Sequence, residues 1–491
     1  MNKAYKYRLI LTDEEKKRLD TCFAVSRKQW NMALAHWNEL GKDVSIGDKV
    51  KICGKFITQY KSTVEGAWMF EAPSRAKAYV ILDLKAAFVK YYAAIKNGDV
   101  ARKQAKYKAH CELTGKVWKQ KIHDSAYKPK FKSWSDEQSF RVDEDGGAVV
   151  NLSNGDVFLS KRSTPFRFKV KPTDKIFDNP IKKFCAFTFS RTKTGRYYLS
   201  IGIDTDESIV ERETKSVVGL DFGAKTMAQV AGYKVDLRDF SRLDFQIKKL
   251  QLKAASKFEA NGKERTKNYL KLQDRIRRLN ERKTNIRKHE THLLTSAITS
   301  SFDFIAVEDL NLRGMTGKAR PKQKEDGSFG RNNKAQKSGL NRSLLNNNGF
   351  EVKRQLKYKM EWNGGKYQEI GRYFPSSKLC SVCGEKHISL ELKDRYWNCA
   401  SCGTTHDRDF NAEINIALEG LSVAGVNTPL KKCLSDVVTQ EEGNKTTKLQ
   451  FILSSKPLSE STIGDKRLLP QVLARSDFFN RLKNTTLRIQ T

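Results

Sequence analysis

The sequence predicts a multi-domain α+β protein, and three observations carry that expectation. Apolar residues at helical spacing alternate with short apolar strands. Two Cys-x-x-Cys pairs, Cys380/Cys383 and Cys399/Cys402, stand 15 residues apart. Three carboxylates, Asp221, Glu308 and Asp409, sit at the ends of apolar elements far apart in the chain. A length of 491 residues is ample for several domains with sizeable cores. Lys plus Arg number 92 against 56 acids, a net charge of +36 that points to a polyanionic partner, above all nucleic acid. No apolar run approaches the roughly 18 residues that span a bilayer, so no membrane partner is expected. The first residues lack a signal-peptide layout, and Cys22, Cys53, Cys111, Cys185 and Cys433 are scattered as buried thiols would be. An intracellular, reducing location is therefore expected.

Residues 3–11 read as a strand, and Thr12 with Glu15 forms a capping box that opens a helix. Leu19, Phe23, Trp30, Leu34 and Trp37 keep helical spacing and belong to a core rather than to a binding stripe. A second helix starts after Pro73-Ser74, carries Val80, Leu84, Phe88, Tyr91 and Ile95 on one side, and stops at Asn97-Gly98. From Tyr127 onward bases alternate with aromatics (Lys130, Phe131, Lys132, Phe140, Arg141), a mix suited to nucleic-acid backbone and stacked bases. Short strands follow at 148–151, 157–160, 166–170, 184–191 and 197–203, with hairpin turns at Asn154-Gly155 and Thr194-Gly195. Their regular spacing suggests a small barrel or sandwich.

Residues 216–231 read as strand, Gly turn, strand, and period two puts Asp221 on the face of Gly219 and Gly223. Lys248 to Glu290 holds 15 Lys or Arg against five acids and reads as a helical hairpin broken at Asn261-Gly262. Its seam is Leu272, Ile276, Leu279, Ile286, Leu293 and Ala297, and its basic outer face suits nucleic acid. In Phe302–Leu310, a third buried strand, only one of Glu308 and Asp309 can follow the core face. Residues 316–348, rich in Gly, Lys and Asn, read as a mobile loop, and 350–374 as a helix followed by a strand.

The cysteine spacing suits one structural Zn²⁺ held by two knuckles, each ending in a glycine, Gly384 and Gly403. Phe410, Ile414 and Leu418 recur every four residues, so a helix begins near Asp407–Asp409. Asp407 then caps it, while Asp409 lies in its first turn, and the small Ala412 permits close approach to the strand of Asp221. Asp221, Glu308 and Asp409 together fit a site for two Mg²⁺ ions that activates water for phosphodiester hydrolysis.

These motifs are ones met elsewhere. AYKYRL, KPKFKSWSDEQSFR, VGLDFGAK, FIAVEDLNLRGM, SLLNNNGFEVKRQLKYKMEWNGGK, RYFPSSKLCSVCG and CASCGTTHDRDFNAEINIAL run in order over about residues 3–420. The chain thereby resembles TnpB, the transposon-encoded RNA-guided nucleases related to the compact type V CRISPR effectors. The resemblance implies a RuvC/RNase H-like nuclease domain with motifs in 216–375 and 404–425, and a zinc ribbon inserted at 376–403. It implies a wedge β-barrel (1–11 and 126–215) and a helical recognition lobe (12–125), with the tail from 426 outside the resemblance and open to disorder. It also implies that Asp221, Glu308 and Asp409 are the metal-binding catalytic acids, with guide RNA and double-stranded target DNA as partners. A monomer in the prokaryotic cytoplasm, at the nucleoid when acting, completes the expectation. Glu413 in NAEIN departs from the second Ala more usual in the family, and carries no assigned role. Two other readings compete: an RNA-guided DNA-binding regulator without cleavage, which would have lost acids that are all present here, and a transposase or transposition accessory protein, the former calling for a nucleophilic Tyr or Ser constellation that the sequence does not show.

Overall fold

The structure, a computed structural model, describes residues 2–41, 43–114, 127–143, 149–151, 156–158, 168–170, 180–206, 208–223, 228–230, 233–236, 239–319, 322–330, 332–391, 393–426, 481 and 488–490. The chain divides into two compact units, Met1–Ser208 and Ile209–Thr491. No helix among the described residues is long and apolar enough to cross a membrane.

The first unit opens with β1 (Asn2–Ile10) and α1 (Asp13–Glu39), and the capping box of Thr12 and Glu15 is formed as expected. Helices α2 (Ile46–Lys61), α3 (Ser74–Lys96) and α4 (Asp99–Thr114) follow. Trp37 stacks on Phe88 at 4.5 Å between centroids, inside a core of Trp30, Leu34, Ile57, Val80 and Leu84. The α3 seam ends at the half-buried Tyr91: Ile95, expected on it, is 46% exposed because the core that covers the seam stops one turn earlier.

Strands β2 (Gln138–Val142), β3 (Val149–Asn151), β4 (Asp156–Phe158), β5 (Phe168–Val170), β6 (Ile181–Arg191) and β7 (Tyr197–Thr205) join β1 in one sheet of order β2-β6-β7-β1-β5-β4-β3. Its edges, β2 and β3, do not pair among the described residues, so the sheet is open there and no closed barrel is formed by them. Gly195 takes a φ of 79° in the turn between β6 and β7, as the Thr194-Gly195 signal required. The turn expected at Asn154-Gly155 lies outside the described residues. Within the basic–aromatic segment, Trp134 is faced by the guanidinium groups of Arg191 at 4.4 Å and Arg27 at 4.9 Å.

The second unit is built on a six-stranded sheet of order β14-β11-β8-β9-β10-β17. Its strands are β8 (Val217–Asp221), β9 (Ala228–Val230), β10 (Tyr233–Asp236), β11 (Phe304–Glu308), β14 (Lys366–Ile370) and β17 (Arg488–Gln490). β12 (Lys322–Gln323) and β13 (Phe329–Gly330) form a separate small hairpin. β8, β11 and β14 are parallel, while β9 and β10 fold back antiparallel. Helices α5 (Ser241–Ala260) and α6 (Lys267–Ser301) make the expected hairpin, with Ile247, Ala254 and Ile276 in its seam.

α7 (Leu312–Met315) is a single turn, and α8 (Lys334–Asn346) corrects the expectation of a mobile loop over 316–348. Only Leu344 of α8 is buried, so its sequence shows no apolar period that would reveal a helix. α9 (Gly349–Asn363) leads into β14.

Alternation along β8 and β11 sorts the two faces of the sheet. Val218, Leu220, Ile305 and Val307 pack with α6 and α9. Val217, Phe304 and Ala306 pack with Ile414, Ile416, Ala417 and Leu421 of α10 (Arg408–Val423). At the far edge Arg488–Gln490 pair with β10, so part of the tail thought open to disorder completes the sheet.

Candidate functional site

The cysteine module is the better-formed half of the site. In each knuckle the glycine N–H donates to the carbonyl of the first cysteine, Gly384 to Cys380 and Gly403 to Cys399, both at 2.9 Å. Those glycines take φ of 77° and 71°, the left-handed region in which a side chain is strained. The four Sγ atoms lie within 4.8 Å of one another, with Cys383–Cys399 at 3.5 Å and Cys380–Cys402 at 3.7 Å. A tetrahedron of Zn–S bonds about 2.3 Å long has edges of about 3.8 Å, so the thiolates fit a zinc ion closed on all four sides. His406 is buried, and its Nε2 lies 3.0 Å from Cys380 Sγ. Burial pushes its pKa down to about 4, so the ring is neutral, and protonated on Nε2 it would donate to a Cys380 thiolate. Cys399→Ser is expected to lower zinc affinity more than ~100-fold, beyond what loss of an outer-shell partner does. Metal release to a chromogenic chelator, together with the melting temperature, reads this out. Full zinc occupancy at an unchanged melting temperature would refute the site.

The short strands β15 (Tyr396–Asn398) and β16 (Thr405–Asp407) carry the second knuckle into α10. Two asparagines of α10 clamp the first knuckle. Asn411 donates to Leu379 O at 2.7 Å, and Asn415 to Leu379 O at 2.6 Å and to Ser376 O at 2.8 Å. Ser376 in turn donates its hydroxyl to Glu308 Oε1 at 2.6 Å. The cysteine module is thus joined by hydrogen bonds to one of the three carboxylates. Nothing in the spacing of the sequence announced this link, although Asn411 and Asn415, four apart, share one face of a helix.

Asp221 and Glu308 end adjacent parallel strands, at the same level and on the face turned to α10. Of the two neighbours Glu308 and Asp309, Glu308 continues the face of Phe304 and Ala306. Asp309 instead pairs with Arg372 Nη2. Asp407 is the N-cap of α10 and accepts from Phe410 N at 2.9 Å, as expected. Asp409 stands in the first turn, its Oδ2 3.1 Å from Lys234 Nζ and its Oδ1 3.2 Å from Arg395 Nη1. The three carboxylates do not close to the 4.8 Å spacing of the cysteines, the one such group among the described residues.

Their charges nevertheless act on one another. Burial, then the charges of Glu308 and Asp409, push the Asp221 pKa up to about 7, with Arg408 pulling the other way. Burial also raises Glu308, against the Ser376 hydroxyl and the Lys353 ammonium. Lys353 Nζ donates to the Glu308 carbonyl at 3.1 Å and to Glu369 Oε2 at 3.0 Å. Mutual repulsion of this kind is relieved by a cation, and hard carboxylate oxygens suit Mg²⁺.

A raised carboxyl pKa means that the folded chain holds a proton the unfolded chain has released. Stability of the metal-free protein is therefore expected to fall as pH rises from the ordinary carboxylate range to about 7. Asp221→Asn should flatten that slope in thermal melts run across the window. An identical slope in the variant would remove Asp221 as its source.

Ala412, expected to permit close approach, is buried, and a further close approach of α10 to the strands lies at Gly219. A Cβ there would drive into the Glu413 carbonyl oxygen and come within 2.9 Å of Ala417 N.

Three family models match parts of the chain. Residues 350–416 match "Cas12f1-like, TNB domain", residues 200–319 match "Probable transposase" (OrfB of IS605), and residues 1–42 match "Helix-turn-helix domain". In this structure the last stretch is a strand and one long helix. InsQ of Escherichia coli (strain K12), designated an RNA-guided DNA endonuclease, is 25% identical over 426 residues, covering 86% of this chain and 92% of the relative. A protein of Streptomyces pristinaespiralis with the same designation is 25% identical over 459 residues, 91% of this chain and 94% of its own. TnpB-like protein L79 of Acanthamoeba polyphaga mimivirus is 28% identical over 155 residues, 31% of this chain and 26% of its own.

Proposed function

The chain belongs to the TnpB family of transposon-encoded proteins, and on that premise we propose that it is an RNA-guided DNA endonuclease whose cleavage site is formed by Asp221, Glu308 and Asp409. The observation that supports the proposal is electrostatic as well as topological: Asp221 and Glu308 end adjacent strands on the face that α10 covers, and the charges of Glu308 and of Asp409, in the first turn of α10, both act on Asp221. An Asp221 carboxyl raised to about 7 by burial, and further by its acidic neighbours, is in keeping with a site made for cations. Mg²⁺, two ions in the fullest form of the reading, would supply a water of lowered pKa and neutralise charge on the leaving oxygen.

The chain's own residues set the rest. Ser376 holds the Glu308 carboxylate by one oxygen, leaving the other for a ligand. Asp407 and the asparagine clamp fix the start of α10, and so the place of Asp409, against the zinc module. The basic hairpin of α5 and α6 would offer a cationic face to guide RNA, and the open sheet of the first unit falls in the segments for which the resemblance implies a wedge domain, without closing a barrel among the described residues. Base pairing between guide and target would carry sequence specificity, while protein reads a short flanking DNA motif.

The test is cleavage of target plasmid by protein with the RNA that copurifies with it, that RNA being sequenced to define the target. Mg²⁺-dependent cutting confined to the matching target is expected, with none from protein stripped of RNA. Cutting by the stripped protein, or RNA binding indifferent to salt, would overturn the reading.

A further inference from the structure

Gln229 lies in β9 directly across the antiparallel ladder from Asp221, and Lys234 in β10 lies directly across from Gln229. Residues opposite one another in a sheet send their side chains to the same face. The neighbours of Gln229, Ala228 and Val230, point the other way, into the core with Val218 and Leu220. Gln229 therefore shares the face of Gly219 and Asp221, the face that α10 covers. Asp221, Gln229 and Lys234 form a row, and the ammonium of Lys234 at its end is engaged by Asp409.

Gln229 is only 5% exposed, and its Oε1 is buried without a hydrogen-bond donor. Buried amide oxygens are almost always satisfied, and one left open asks for a water or an ion. An apolar side chain of the same length would fill this position without leaving an oxygen open. A neutral carbonyl oxygen beside a carboxylate is also a donor type that hydrated Mg²⁺ accepts.

We propose that Gln229 is a positioning residue of the cation site: its Oε1 accepts a hydrogen bond from a water on the divalent ion held by Asp221, and so orients that water. The inference rests on the metal-dependent reading of the carboxylates given above. The bond needs no proton transfer; Gln229 acts as acceptor only. No sequence motif signals it, because the residue belongs to the site through sheet register alone.

The test uses the full chain freed of nucleic acid, titrated with MgCl₂ and followed by its melting temperature, and the RNA-loaded chain followed by cleavage against Mg²⁺ concentration. Gln229→Leu is expected to melt at or above wild type without metal, because it removes an unsatisfied amide oxygen. Its Mg²⁺ midpoint should rise about 10- to 100-fold in both assays, as for loss of an outer-shell partner. Gln229→Glu keeps the acceptor and adds charge, so its midpoint should stay at or below that of wild type.

A Leu variant with the wild-type midpoint overturns the proposal. So does a Leu variant that melts well below wild type without metal, since the amide would then be a structural group. Asp221→Ala separates the two levels of inference. If it loses the Mg²⁺ response while Gln229→Leu keeps it, only the role of Gln229 fails. If it keeps the response, the carboxylate reading fails as well.

Discussion

Asp409→Ala is expected to lower target cleavage by about 10²- to 10³-fold, the scale on which groups that stabilise transition-state charge are missed. RNA-guided binding of the same DNA should persist. The neighbouring Asp407 should behave differently, because it caps α10 from outside while Asp409 lies in its first turn. Asp407 accepts from the Phe410 N–H at 2.9 Å and so caps the helix. Asp407→Asn keeps an acceptor there and should change stability by less than about 1 kcal/mol. Asp407→Ala should cost about 1 kcal/mol and leave cleavage largely intact at a temperature where the fold holds.

Asp409 caps nothing in the structure. It points toward Lys234 and Arg395, and its charge contributes to the raised pKa of Asp221. Both variants can be compared by gel shift and by plasmid cleavage with the same guide. Cleavage that survives in Asp409→Ala but is lost in Asp407→Ala would show that the cap, not the first-turn acid, belongs to the site.

Gly219→Val is expected to lower the stability of the second unit by several kcal/mol, about 3 or more. An added Cβ at Gly219 meets backbone, the Glu413 carbonyl and the Ala417 nitrogen, and backbone cannot swing aside as a side chain can. Overpacking of this kind costs about 1–3 kcal/mol and more where nothing can yield, and a branched side chain adds further volume. Relief requires α10 to move off the sheet, and α10 carries Asp409. A displacement of about 1 Å in a catalytic group can cost ~10²-fold in rate, so cleavage should fall along with the melting temperature.

Gly54→Ala is the control. Gly54 lies in the middle of α2, where a Cβ would meet nothing within 4 Å. That change should be neutral or stabilising by up to about 1 kcal/mol, since alanine is the better helix former. A Gly219→Val protein that melts and cuts as wild type does would mean that α10 is not held against β8 as described.

What the sequence determined by itself was everything whose cause is local. The capping box at Thr12, the break at Asn261-Gly262, the two cysteine knuckles with their glycines, and the cap at Asp407 are each set by a few neighbouring residues. Strand period was equally legible: it put Asp221 on the face of Gly219 before any partner strand was known. What the tertiary structure alone decided was everything that depends on register between distant segments. It chose Glu308 over Asp309, turned the latter to Arg372, and placed Gln229 and Lys234 in a row with Asp221. It tied Ser376 to Glu308 and hung the first knuckle on Asn411 and Asn415. It also brought Arg488–Gln490 back to β10 across a long stretch of chain. The physical reason is the same in each case. Caps, turns and metal knuckles close loops of a few residues and are written in the residues themselves, whereas pairing across a sheet joins segments whose spacing in the chain says nothing about which residue will face which.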